Sequence, residues 1–120
     1  MQVSVEKPVI SPDGRTAGWL VNFPSCCTSY PIPMILVLWR DGGILRRVQP
    51  RSGLPVWSWF FLDGGQKVAY RFETTHGFMG AGCEQRDVAT GAILDSWFAG
   101  DRNKKGLPVW AEPFRKDLTD

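Results

Sequence analysis

One histidine, three cysteines and a set of turn-placed carboxylates are the residues of this 120-residue chain that could do chemistry. His76 could join Cys83, Cys26 and Cys27 around a metal, because the two long loops, Pro24–Ile32 and Thr74–Gly82, hold equivalent places along the chain. Structural zinc normally takes paired Cys-x₂-Cys spacings, and this sequence has none. Cys83 with His76 could also pair as nucleophile and base. No Gly-x-Ser-x-Gly elbow and no third, orienting residue accompanies them. No metal, cofactor or catalytic group is therefore expected, and a small hydrolase ranks last among the functions considered. Asp13, Asp41, Asp63 and Asp87 fall in turn segments, where Asp is favoured by bonds from its side chain to the nearby backbone. Two of them acting as a glycosidase pair would need a cleft between them.

The cysteine count is odd, which argues against a disulfide framework. Adjacent Cys26 and Cys27 are poorly placed to bridge each other. Reduced, partly buried thiols are expected, and a bridge from Cys83 to Cys26 or Cys27 stays open. Six tryptophans are many for this length. Trp19, Trp57 and Trp59 lie on alternating apolar faces, which predicts core packing. Trp97 and Trp110 are less tied to such a pattern. With Tyr30, His76, Phe78 and Met79 of the long loops, they are the candidate partner-binding residues, since recognition concentrates on loops and exposed aromatic patches.

Charge narrows the partner classes. Net charge is +2, and the basic residues cluster only at Arg46–Arg47, Arg102–Lys105 and Arg115–Lys116. Nucleic-acid binders carry a basic stripe, so a nucleic-acid partner is not expected. The longest apolar run, Ile32 to Trp39, is interrupted by Pro33 and is far short of the roughly 20 residues of a membrane helix. The segment Met1 to Lys7 lacks the pattern of a signal peptide. That favours a cytoplasmic chain, with a periplasmic one open if a signal has been removed.

The elements that must position these residues are short strands. No stretch keeps a helical apolar spacing for three turns. Thirteen Gly and nine Pro cut the chain into pieces rich in Val, Ile, Trp, Phe and Tyr. Ala17, Trp19, Val21 and Phe23 share one face of a strand over Arg15–Phe23; Trp57, Trp59 and Phe61 share one in Pro55–Phe61; Val68, Tyr70 and Phe72 share one in Gln66–Glu73. Met34–Trp39 is apolar on both faces, which predicts a strand covered on both sides. Turn signals lie between the runs at Asp13-Gly14, Asp41-Gly42-Gly43, Asp63-Gly64-Gly65 and Thr90-Gly91.

The chain also repeats itself. Gly53-Leu54-Pro55-Val56-Trp57 recurs as Gly106-Leu107-Pro108-Val109-Trp110, and other features recur at roughly 50 residues, a spacing typical of propeller blades. One unit spans about 8–52 and a second about 55–105, each with four strands. The third strands are expected over Met34–Arg40 and Cys83–Val88, the fourth over Ile44–Gln49 and Ala92–Phe98. Leu107–Phe114 reads as the first strand of an incomplete third unit.

Ile10-Ser11-Pro12-Asp13-Gly14-Arg15-Thr16-Ala17-Gly18-Trp19 resembles the Ser-Pro-Asp-Gly motif of WD40-like β-propellers, the type found in TolB and prolyl oligopeptidase relatives. Asp87-Val88-Ala89-Thr90-Gly91 looks like the Asp-x-x-Thr-Gly turn between the third and fourth strands of such blades. The resemblance spans residues 8–114, and in the second unit the motif is reduced to Leu62-Asp63-Gly64-Gly65. It implies an all-β fold of two four-stranded antiparallel blade-like sheets packed face to face, and it carries no catalytic residue. Two blades cannot close a ring, since propellers typically have four to eight. A small sandwich or sandwich dimer, a ring of several chains, or a piece of a longer propeller would each resolve this. The function expected is a non-enzymatic protein-interaction module that self-associates or binds a protein partner. A carbohydrate- or ligand-binding β-protein and a small immunity or inhibitor protein are the alternatives.

Overall fold

A computed structural model describes residues 4–23, 32–73, 80–101 and 106–119. Among the described residues, nine strands dominate. Sheet one holds β1 (Ser4–Val5), β2 (Val9–Ile10), β3 (Thr16–Phe23), β4 (Ile32–Arg40) and β5 (Gly43–Val48). Sheet two holds β6 (Val56–Leu62), β7 (Lys67–Phe72), β8 (Gly82–Asp87) and β9 (Ile93–Phe98). Both are antiparallel meanders. In sheet one, β1 and β2 lie along the same edge of β3, so the order is β1/β2-β3-β4-β5, against β6-β7-β8-β9 in sheet two. Each sheet thus has four strand positions, and neither closes into a barrel. Among the described residues, no helix is long and apolar enough to cross a membrane.

The sheets pack face to face. Leu20, Leu36, Leu38 and Val48 of sheet one meet Val56, Val68, Tyr70 and Phe72 of sheet two, and Val88 joins them. Several of these side chains are wholly shielded from water, and each such burial stabilises the fold by about 1.5–3 kcal/mol. Trp59 and Phe61 pack edge to face against this core, ring centroids 5.0 Å apart. The approach is close: a Cβ at Gly18 would lie 2.5 Å from the Trp59 ring, so glycine lets the two sheets meet there.

A third layer covers the other face of sheet two. Residues Val109–Phe114 form a 3₁₀ helix that runs into the short helix α1 (Arg115–Thr119). Ala111, Phe114 and Leu118 bury themselves against Ala69, Cys83 and Trp97. Phe114 meets Phe60 at 5.0 Å between ring centroids. The strand expected over Leu107–Phe114 is therefore absent. Ala111, Phe114 and Leu118 recur at helical spacing, and Pro108 and Pro113 deny a ladder the amide hydrogens it needs.

Two expectations about strand faces change. In β3 the buried positions are Thr16, Gly18 and Leu20, while Ala17, Trp19 and Val21 are half-buried on the opposite, outer face. Trp19 is thus not a core residue. In β6 a bulge between Val56 and Ser58 takes Trp57 out of the alternation and gives Val56 the core position beside Trp59 and Phe61. The Trp57 indole N–H donates instead to the Glu73 carbonyl at 3.1 Å. Val68, Tyr70 and Phe72 face the core together as the sequence predicts.

Candidate interaction surface

Pairing register sorts the described side chains of sheet one between two faces. Val5 pairs with Val21 and Ile10 with Ala17 on the first edge. Ala17 pairs with Trp39, Trp19 with Val37 and Val21 with Ile35 across β3 and β4. Val37 pairs with Arg47 and Trp39 with Ile44 across β4 and β5. A bulge between Leu38 and Trp39 sends Leu45 inward, where it packs on the core, and leaves Ile44 outside. All these outer positions are apolar except Arg47 on the edge strand β5.

Neither core cluster contains a residue of this outer face. Val37, set between Trp19 and Arg47, is the one well-shielded member at 5% exposure. Around it Val5 is 61%, Ile10 60%, Trp39 40% and Ile44 44% exposed. These four leave on the order of 400 Å² of apolar surface in water, within the roughly 300–600 Å² of the largest apolar patch on a monomeric protein, which is often a functional one. The strand expected to be covered on both sides is covered on its inner face, at Leu36 and Leu38, and open on its outer face at Trp39. The signal for this surface lies in the alternation Ala17, Trp19, Val21, which by itself reads as a core face.

The residues singled out from sequence lie elsewhere. Tyr30, His76, Phe78 and Met79 fall outside the described residues, as do Cys26 and Cys27. Trp97 is 8% exposed in the layer between sheet two and the C-terminal segment, which leaves little of its ring for a partner. Trp110 is half-buried in the same layer, and its indole N–H donates to Asp95 Oδ2 at 2.8 Å. Cys83 is a free thiol with no exposure. Burial first, and the charges of Asp95 and Glu84 second, push its pKa up to about 12, so it stays protonated at neutral pH. A protonated thiol is neither a nucleophile nor a metal ligand.

The carboxylates serve turns. Asp13 Oδ1 accepts from the Ser11 hydroxyl and from the Arg15 amide at 3.1 Å, and those bonds hold its pKa below the ordinary carboxylate value. Asp87 Oδ1 accepts from the Thr90 amide at 2.8 Å, which lowers its pKa likewise. Asp41 and Asp63 sit at φ 54° and 50°, a left-handed conformation that Asp tolerates better than most residues. The Asp13 and Asp87 turns border a polar depression of 240 Å³ with Arg15, Arg40 and Gln66. Each acid there already has backbone N–H donors, and Arg40 Nε donates to Thr16 Oγ1 at 3.0 Å, so the depression reads as a seam between turns.

A second polar group lies deep between the sheets. The Tyr70 hydroxyl donates to Glu84 Oε1 at 2.7 Å and accepts from Arg86 Nε at 2.5 Å. Arg86 also donates to the Gln49 carbonyl at 2.8 Å, and the Arg51 amide donates to Glu84 at 3.3 Å. Arg46 of β5 reaches back to the Val88 and Ala89 carbonyls at 3.0 and 2.6 Å. Burial, the largest influence, drives the Tyr70 pKa upward. Among the described residues no buried side-chain polar atom lacks a partner. These bonds tie sheet one and the segment after it to sheet two, and the group is a structural clamp.

Comparison of the chain with protein-family models, with curated proteins and with solved structures gives no match.

Proposed function

We propose that this chain is a non-enzymatic protein-interaction module of propeller-blade type, and that it docks a protein partner on the outer face of sheet one. One observation carries the reading. The chain supplies a dedicated cover for the free face of sheet two, the segment Leu107–Leu118, whereas the apolar outer face of sheet one has no counterpart among the core clusters. Apolar surface of this size is stabilised by removal from water, and a partner supplies that removal. The stacking of two meander sheets in the same strand order supports the blade-like reading.

The neighbours of Trp39 support a protein rather than a glycan. Its cross-strand partners are Ala17 and Ile44, so the ring stands among aliphatic groups, whereas a sugar platform needs hydrogen-bonding groups beside it.

Photo-crosslinking tests the proposal. A photoreactive phenylalanine analogue is placed at position 39, or at Leu94, which is 47% exposed on sheet two. The expected result is a discrete protein adduct from position 39 in the cells that make the chain, absent from position 94 and competed by excess unlabelled chain. Equal labelling from both positions, or none from position 39, would overturn the proposal.

A further inference from the structure

We infer that the outer face of sheet one takes a short amphipathic helical segment of its protein partner, laid across the strands as the C-terminal segment is laid across sheet two. The inference rests on the docking reading above and names the form and chemistry of the occupant.

The internal repeat identifies the form. Arg40-Asp41 recurs as Arg86-Asp87, and these residues put the two sheets in one register. Thr16 pairs with Arg40 in sheet one, and Val68 with Arg86 in sheet two. Along the ladders from those pairs, Ala17 corresponds to Ala69, and Val37 to Cys83. The first strands agree: Ile10, opposite Ala17, corresponds to Phe60, opposite Ala69. Phe60, Ala69 and Cys83 belong to the floor on which Ala111, Phe114 and Leu118 lie, with the Phe60 and Phe114 ring centroids 5.0 Å apart. The outer face of sheet one is therefore the equivalent of the face that, among the described residues, takes a helical segment.

Area points the same way. The exposed apolar groups of the face amount to on the order of 400 Å². That is about half of the roughly 800 Å² that each side of a standard globular interface covers. A single amphipathic helix presents one stripe of side chains, with anchors at i, i+3, i+4 and i+7. Ala111, Phe114 and Leu118 have that spacing in the C-terminal segment.

The side chains that differ between the two faces set the chemistry. On sheet two the C-terminal segment has polar anchors: the Trp110 indole N–H donates to Asp95 at 2.8 Å, and Asp117 lies 3.8 Å from the Arg71 guanidinium. At the equivalent places sheet one has Ile44 and Trp19. The reverse change occurs at the edge, where Trp97 of sheet two is matched by Arg47, exposed on β5. The fitting segment thus has apolar side chains where the C-terminal segment has Trp110 and Asp117, and a carboxylate toward Arg47 at the polar rim. The C-terminal segment of a second copy fits poorly. Its indole N–H would face Ile44 and its Asp117 carboxylate would face Trp19, each without a partner.

Selection from a displayed library of random peptides of about fifteen residues, with the purified full chain as bait, tests the inference. The enriched peptides are expected to carry apolar residues at i, i+3 or i+4, and i+7 beside an acidic residue, and to gain helical circular dichroism on binding. Trp39→Glu weakens that binding by about thirtyfold or more. Ile10→Glu, on the short edge strand β2, acts in the same direction and guards against misfolding of the first variant. Val109→Glu, on the cap, where the side chain is 91% exposed, leaves binding unchanged. The inference is overturned by a selection that enriches nothing, by enriched peptides with alternating apolar residues that bind as strands, or by binding indifferent to both substitutions. A synthetic peptide of residues 106–120 that binds as tightly as the enriched ones also overturns it, since the occupant would then be a second copy. After any such failure, crosslinks from position 39 to a protein would leave the docking reading standing, and their absence would remove both.

Discussion

Replacing Tyr70 by Phe removes a single oxygen from the clamp between the sheets, and the contacts of that oxygen set the cost. Glu84, 1% exposed, loses its 2.7 Å donor and keeps only the Arg51 amide at 3.3 Å and the Arg86 guanidinium at 3.9 Å. Arg86 Nε loses its acceptor. The ring stays in place, so the packing contribution is nearly constant and the cost is that of two groups left short of partners. Hydrogen bonds to charged groups contribute about 1.5–3 kcal/mol, so Tyr70→Phe is expected to destabilise by about 2–3 kcal/mol. Glu84→Gln keeps an acceptor but removes the charge facing Arg86, at a cost of about 3 kcal/mol. Because the two side chains act through each other, the double variant should cost less than the two changes added, by about 1–2 kcal/mol. Urea unfolding measures all three. With a slope of about 1–1.5 kcal/mol per molar for a domain of this size, the Tyr70→Phe midpoint should fall by roughly 2 M. A loss below about 0.5 kcal/mol, or strict additivity in the double variant, would refute the assignment of these residues as a coupled clamp.

Three further outcomes rest on the same packing. Phe114→Ala opens the layer over sheet two and should cost about 3–5 kcal/mol, read as a lower urea midpoint together with binding of an apolar dye. Gly65 has φ +111°, and a Cβ there would lie 2.7 Å from the Ser11 Cβ, so Gly65→Ala should lower Tm by roughly 10 °C in a thermal melt. Cys83 ionises near its ordinary 9.0 when unfolded but is pushed up to about 12 by burial in the folded chain, so its contribution to stability is complete below pH 9 and is lost as pH rises from there toward 12. In that window the wild type should lose up to about 1.4 kcal/mol more per pH unit than Cys83→Ala, measured by urea unfolding at pH 9, 10 and 11.

The strands are legible in the sequence because alternation and turn chemistry are local. The third strand of unit one is expected over Met34–Arg40 and runs Ile32–Arg40; the fourth of unit two is expected over Ala92–Phe98 and runs Ile93–Phe98. Which face of β3 is inward is not legible, because Trp19 and Val21 stand on the outer face, whereas the inner one carries Thr16, Leu20 and a glycine that takes the Trp59 ring. The Trp57 bulge is hidden for a similar reason: one extra residue reverses alternation without changing composition. The repeated Gly-Leu-Pro-Val-Trp shows the limit most plainly. The same five residues open a strand beside β7 and a 3₁₀ helix against its opposite face, so what lies beside them, not their own preferences, selects the conformation. Of the candidate site, the residues Ala17, Trp19 and Val21 stand out in the sequence. Their exposure does not, since it depends on which sheet face the rest of the chain covers.

Hydroxyl-radical footprinting measures that exposure directly. Val5, Ile10, Trp39 and Ile44 report on the outer face of sheet one, and Leu94 and Val109 serve as exposed references elsewhere. The dilute purified chain is compared with the chain in an extract of the cells that make it. The account predicts that the first four residues become protected by several-fold in the extract while Leu94 and Val109 react as before. Unchanged reactivity at all six would contradict the claim that this face is where the protein docks its partner.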